Sequence, residues 1–164
     1  ICPRKFERIG LVESIYIYLK KKKIAPDAIE ISLEALTHNI RKRKSFIKPV
    51  LLDQSTVAGI GNWIVDEILF QAKIHPEKLS HTLSKEETER IFNAMRYVLG
   101  TAIAHEANYG RFPEHFIIHA REWDSSPYED LTRHKQCPCG KTQIAQMQVG
   151  GRTTYYCPEC QVLG

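Results

Sequence analysis

The chain has 164 residues, of which 43% are hydrophobic and 26% charged, with a formal net charge of +4. That length suits one domain or two small ones, and that balance excludes a disordered polyelectrolyte. No apolar run approaches the roughly 18 residues of a membrane-crossing helix, and Ile1-Cys2-Pro3-Arg4-Lys5 lacks the apolar segment of a signal peptide.

No initiator Met opens the chain, so a fragment or processed form is expected. Residues 1–13, with Phe6, Ile9, Leu11 and Val12 loosely alternating, read as an extended segment or strand. Residues 14–22 suit a short helix that runs into Lys20–Lys23, and residues 24–27 a connector. Ser32 is placed to cap a helix through about Lys44, with Leu33, Leu36 and Ile40 on one face. The lysine run and the block Arg41-Lys42-Arg43-Lys44 suit either a solvated face or attraction to a polyanion, with nucleic acid the default partner.

Residues 48–76 form the stretch around which the chain is organised. Pro49 suits a first helical position, where a missing N–H costs nothing. Gly59 and Gly61 suit a turn that needs positive φ or close approach. Asn62 stands where a second helix begins; Ile64, Val65, Ile68, Leu69 and Ala72 recur at helical spacing, and Pro76 is the expected stop. Helix N-termini present free backbone N–H groups, which suit an anion. A plain helical hairpin fits the same residues.

Residues 77–83 read as a linker. Ser84 and Glu87 form a capping box, and Ile91, Phe92, Met95, Val98, Leu99, Ala102 and Ile103 follow the helical period as a core stripe. The helix frays near residues 107–110. His115 to His119 suits a strand, and residues 124–127 a loop.

Four of the five cysteines fall in residues 137–160. Clustered pairs without a secretion signal point to a metal site in a reducing compartment, the cytoplasm, and not to disulfides. Seventeen residues separate Cys139 from Cys157, and Cys137, Cys139, Cys157 and Cys160 have the character of a four-thiolate Zn2+ ribbon. Residues 143–149 and 152–156 have strand character, with Gly150-Gly151 as the hairpin turn. The first pair is Cys-x-Cys and not Cys-x-x-Cys, which leaves open a set containing His134 or a metal-free hairpin. Arg152 sits at the turn, where a guanidinium clamps phosphate or simply faces solvent. The expected fold is mainly α: a helical domain over 14–120, a strand remnant over 1–13, and a linker with a small β-hairpin module over 121–164.

The two motifs together resemble the C-terminal half of the formamidopyrimidine-DNA glycosylase / endonuclease VIII family. Leu51-Leu52-Asp53-Gln54, Val57-Ala58-Gly59-Ile60-Gly61-Asn62 and Asp66-Glu67 through His75-Pro76 look like its helix–two-turn–helix. Gly150-Gly151-Arg152 through Tyr156-Cys157-Pro158 and Cys160-Gln161 look like its zinc finger, and Pro3-Arg4-Lys5-Phe6 like the segment that closes its N-terminal domain. The resemblance implies repair of oxidised bases in duplex DNA: extrusion of the nucleotide, glycosidic cleavage and a nick by β,δ-elimination. It implies that Lys48, Asn62 and Arg152 hold phosphates beside the lesion. Phe6 would then be a wedge in the gap, with Arg4 toward the widowed base. The partner implied is double-stranded DNA with damaged or abasic sites, bound by a monomer with no membrane involved.

The sequence departs from the family pattern at three places. The family's nucleophile is an N-terminal proline amine on a β-rich domain; residue 1 here is Ile and the nitrogen of Pro3 is acylated, so this chain alone is expected to bind DNA and cleave nothing. The loop after the long helix, about residues 107–112, is shorter than in members that hold 8-oxoguanine, which counts against that substrate. His119 stands where the family has a phosphate-contacting tyrosine. Competing readings are a non-catalytic zinc-containing nucleic-acid-binding module and a zinc-stapled protein-interaction domain.

Overall fold

A computed structural model describes residues 27–121 and 136–164. The expected strand over 1–13, the helix over 14–22, Arg4, Phe6, the loop at 124–127 and His134 lie outside the described residues. Helix α1 spans Leu33–Arg41 and buries Leu36 and Ile40, with Ser32 Oγ accepting from the Ala35 N–H at 3.1 Å. It stops short of the expected Lys44, and His38 and Arg41 in its last turn face the negative end of the helix dipole.

Helix α2 spans Ile47–Leu52. It begins two residues before Pro49, which therefore sits inside the first turn, not at the first helical position. The fit is still free of cost, because N–H groups of a first turn have no intrahelical acceptor. After α2 the Asp53 carboxylate accepts from the Ser55 N–H at 2.8 Å and the Ser55 hydroxyl at 2.7 Å, a local turn that asparagine and aspartate side chains favour. Gly59 has φ +91, as its spacing suggests. Gly61 does not: it is extended, with φ −100, and precedes helix α3, Asn62–Ala72.

Val65, Ile68, Leu69 and Ala72 of α3 are buried, while Ile64 is only half-buried. Pro76 is not what ends the helix. Lys73 adopts φ +58, and Ile74 N–H then bonds back to Leu69 O at 3.0 Å, a left-handed cap that satisfies the last carbonyls. Helix α4, Lys85–Ala104, carries the expected capping box between Ser84 and Glu87. Ile91, Met95 and Val98 are in the core, but Ile103, in the last turn, is 47% exposed.

Residues 115–119 are not a strand. They end in a 3₁₀ segment, Ile117–Ala120. Its first two amides donate to a side chain, Glu67, and not to a strand neighbour. Strands β1, Ala145–Val149, and β2, Arg152–Tyr156, form an antiparallel hairpin in which Val149 faces Arg152. Both turn glycines have positive φ, +58 and +76, as a two-residue hairpin turn requires. The described residues are thus helix-rich with one small hairpin. None of their helices is long and apolar enough to cross a membrane.

The main core is formed by α1 to α4. The hairpin has no such core. Its buried Cys137 and Cys157 pack with Phe70 of α3 and with Ile117 and Ala120.

Candidate functional site

The cysteine centre comes first. The Sγ atoms of Cys137, Cys139, Cys157 and Cys160 all lie within 4.8 Å of one another. Cys137 to Cys160 is 3.8 Å and Cys139 to Cys157 is 4.0 Å. A tetrahedral site with metal–sulfur bonds of about 2.3 Å has edges of about 3.8 Å, so the set fits a thiolate-bound cation. The tighter Cys-x-Cys spacing does not spoil it. Cys139 N–H points to Cys137 Sγ at 3.4 Å, and Cys160 N–H to Cys157 Sγ at 3.4 Å. Burial pushes the Cys160 thiol up to about 11 and the Cys137 thiol further, while the backbone N–H of Lys141 draws exposed Cys139 down to about 7. A cation that binds here must displace those protons.

The hairpin is seated on the helices at two ends. At its metal end, Gln161 is buried; its Oε1 accepts from the Cys157 N–H at 2.8 Å and its Nε2 donates to Ile74 O at 3.0 Å. At its tip, a Cβ on Gly150 would lie 2.6 Å from Pro49 Cγ. Only a glycine lets the turn rest on α2 so closely.

Between these ends lies a buried ionic cluster. Lys48 Nζ donates to Asp66 Oδ1 at 2.7 Å, Thr153 O at 3.0 Å and Thr154 Oγ1 at 2.7 Å. Asp66 Oδ2 accepts from Arg121 and from the Tyr155 N–H at 3.2 Å, and the Arg121 guanidinium lies over the Tyr155 ring, 4.6 Å from its centroid. The expectation that Lys48 holds a phosphate is corrected here. Lys48 is 0% exposed, and an ammonium has three N–H donors, all of them engaged inside the protein. Burial lowers its pKa, and Asp66 opposes that shift.

Glu67, next along α3, is also buried. Its oxygens accept from the N–H groups of Ile117 at 3.0 Å and Ile118 at 2.9 Å, and from Gln71 Nε2 at 2.9 Å. Burial outweighs those donors and pushes its pKa up to about 7. Consecutive acidic residues thus hold different segments, Asp66 the hairpin and Glu67 the 3₁₀ segment.

Asn62 and Arg152 are brought to the same junction. Asn62 Nδ2 donates to Thr153 O at 3.1 Å, the carbonyl that Lys48 also uses. Asn62 Oδ1 is buried with no hydrogen-bond partner among the described residues. Arg152 is exposed, and its carbonyl accepts from Thr154 Oγ1 at 3.1 Å. His119 turns the other way: its Nε2 faces the carbonyls of Phe112 at 3.3 Å and Pro113 at 3.1 Å. Carbonyl oxygens can only accept, so Nε2 carries an N–H toward them. Sequence reasoning missed Asp66, Glu67, Arg121 and Gln161 as working residues. The signal at α3 was present: two acids inside the apolar run 64–70 need buried partners.

The fold and site together define a helical body with a docked four-cysteine hairpin. Residues 24–113 match the family described as "Formamidopyrimidine-DNA glycosylase H2TH domain". The chain belongs to the formamidopyrimidine-DNA glycosylase / endonuclease VIII family that its motifs resemble. It is 35% identical over 162 residues to a formamidopyrimidine-DNA glycosylase of Arabidopsis thaliana, with 98% of this chain and 39% of that protein covered. It is 36% identical over 163 residues to one from Streptococcus pneumoniae, with 96% and 59% covered. Among solved structures, the Lactococcus lactis enzyme bound non-covalently to abasic-site DNA has a TM-score of 0.67 at 29% identity, over 93% of this chain and 55% of that one. The Thermus thermophilus protein has a TM-score of 0.65 at 27% identity, over 87% and 55%. The chain therefore spans about two fifths to three fifths of the relatives that it matches.

Proposed function

We propose that this chain is the DNA-binding portion of a base-excision-repair glycosylase and AP lyase that acts on oxidised bases in duplex DNA. Residues 47–72 are its helix–two-turn–helix, and Cys137, Cys139, Cys157 and Cys160 hold Zn2+. The ion stabilises a hairpin too small for a core of its own. An enzyme that acts on a stacked base must first extrude it, and the backbone on either side must then be held. Asn62 at the start of α3 and Arg152 at the hairpin turn take those phosphates. Arg4 and Phe6 fill the vacated space. These 164 residues bind DNA without supplying the nucleophilic amine. The body over 14–120 and the module over 121–164 act together on the same stretch of DNA, as one monomer.

The observation that carries this reading is the bond from Asn62 to Thr153 O, 3.1 Å. It joins the start of α3 to the residue after Arg152, so an amide donor and a guanidinium serve one surface. Binding of the chain to an intact duplex and to a duplex with a stable abasic-site analogue, measured by anisotropy against salt, tests the reading. The abasic duplex is expected to bind more tightly. Each phosphate neutralised by a Lys or Arg is expected to add about −0.9 to the log–log salt slope, and Arg152→Ala to make the slope shallower by about one unit. Equal binding of the two duplexes supports a non-catalytic nucleic-acid module instead, and a flat slope a protein-interaction domain. A borohydride-trapped adduct with an abasic duplex would place a nucleophile among this chain's own residues.

A further inference from the structure

We propose that Lys48 is a positioning residue that sets the register and seat of strand β2, and thereby makes Asn62 and Arg152 a single grip. This rests on the reading that Asn62 and Arg152 hold phosphate. The geometry is a relay. Lys48 Nζ donates to the Thr154 hydroxyl at 2.7 Å, and that hydroxyl donates to Arg152 O at 3.1 Å. Lys48 also shares the Thr153 carbonyl with Asn62 Nδ2, at 3.0 and 3.1 Å. One buried ammonium is thus bonded, directly or through one hydroxyl, to the backbone of Arg152 and to the acceptor that orients Asn62.

The chemistry favours specification over stability. A charge taken from water is costly unless each N–H is satisfied, and an apolar residue of similar volume often serves stability as well or better. What the ammonium adds is selectivity for one strand position. Its site accepts a carbonyl from residue 153 and a hydroxyl from residue 154. A one-residue slip would turn every side chain of β2 to the opposite face, and Thr154 Oγ1 would leave the site. Asp66 completes the lock, since its two oxygens take Lys48 and the Tyr155 N–H. Gly150 lets the tip sit directly against Pro49, where a Cβ would lie 2.6 Å from Pro49 Cγ.

The test is a double-mutant cycle on the abasic duplex with the full chain carrying zinc: Arg152→Ala measured in the parent and in Lys48→Met. A positioning role predicts that Arg152→Ala weakens binding by about tenfold in the parent, and by about twofold or less in Lys48→Met, because the guanidinium is already misplaced. Equal losses in both backgrounds would overturn the positioning role and leave the phosphate grip standing. No loss in the parent would overturn both. A second measurement needs no variant. In the free parent protein the Lys48 ammonium protons are expected to exchange slowly with water by NMR, and to remain so on DNA. Fast exchange in the free protein would overturn the buried relay, and a coupling between that nitrogen and a DNA phosphorus would make Lys48 a direct ligand.

Discussion

The helical body and the cysteine hairpin are stabilised by opposite means. The body buries an apolar cluster in which Leu36, Ile40, Ile47, Leu51, Val65, Ile68, Leu69, Ile91, Met95 and Val98 are all nearly or fully excluded from water, so burial and close packing hold it. The hairpin has five residues per strand and shares its few buried residues with Phe70 and the 3₁₀ segment. It has four clustered thiols that could hold a cation, and a few buried polar bonds to α3. Apolar packing tolerates many solutions. A buried ammonium, carboxylate or amide accepts few, because each unmet donor or acceptor is costly. The surface proposed to meet DNA is therefore placed by polar bonds, and the body behind it by apolar packing.

The largest expected break between the two regions is metal removal. Structural zinc in small modules contributes an apparent ~10–16 kcal/mol at neutral pH, far more than the rest of the hairpin can replace. Chelation, or Cys157→Ser, is expected to abolish zinc stoichiometry and reduce DNA affinity to background. Helical far-UV ellipticity should be retained, because α1 to α4 have their own core. Joint loss of helix and metal would show that the body also depends on the hairpin.

Leu69→Ala is the reciprocal break. Leu69 is 0% exposed in the body's core, and truncation there is expected to cost about 2–5 kcal/mol. Urea unfolding of the helical signal should shift to lower denaturant, with the zinc stoichiometry of the folded protein unchanged. A shift under about 0.5 kcal/mol, the range of ordinary surface changes, would contradict the assigned packing.

The smallest expected effect probes the seam. The folded-state pKa of Glu67 is raised to about 7 from 4.5, so the folded protein holds a proton that the unfolded chain releases between those values. Stability is therefore expected to fall as pH rises through about 4.5 to 7, by no more than about 1.4 kcal/mol per pH unit, and to level off above. Glu67→Gln removes that titration and should flatten the trend relative to the parent, read as urea midpoints at pH 5 and 7.5. Identical trends in both proteins would mean that other groups cause it.

Local chemistry was legible in the sequence. Ser32, the Ser84/Glu87 capping box, the Gly150-Gly151 turn and the spacing of the cysteines act over a few residues, and each is found where its pattern places it. The Leu-Leu-Asp-Gln to His-Pro stretch and the cysteine motif also marked the family. The misreadings share one cause. Pro76 was displaced as a helix stop by a left-handed Lys73, and the strand expected at 115–119 became a 3₁₀ segment because Glu67, 50 residues away, takes its amides.

What the amino-acid order determined by itself is therefore most of the helices, the hairpin and its turn, the two serine caps, and the four thiols. Where Lys48 points was decided only by tertiary structure. As a letter in a motif it is a cation, suited to phosphate. In the folded chain its partners come from Asp66, 18 residues on, and from Thr153 and Thr154, 105 and 106 residues on. No local pattern encodes those distances. Partners so far apart in the chain meet only when burial of the body has brought the hairpin against α3, and the ammonium then takes the bonds that satisfy it.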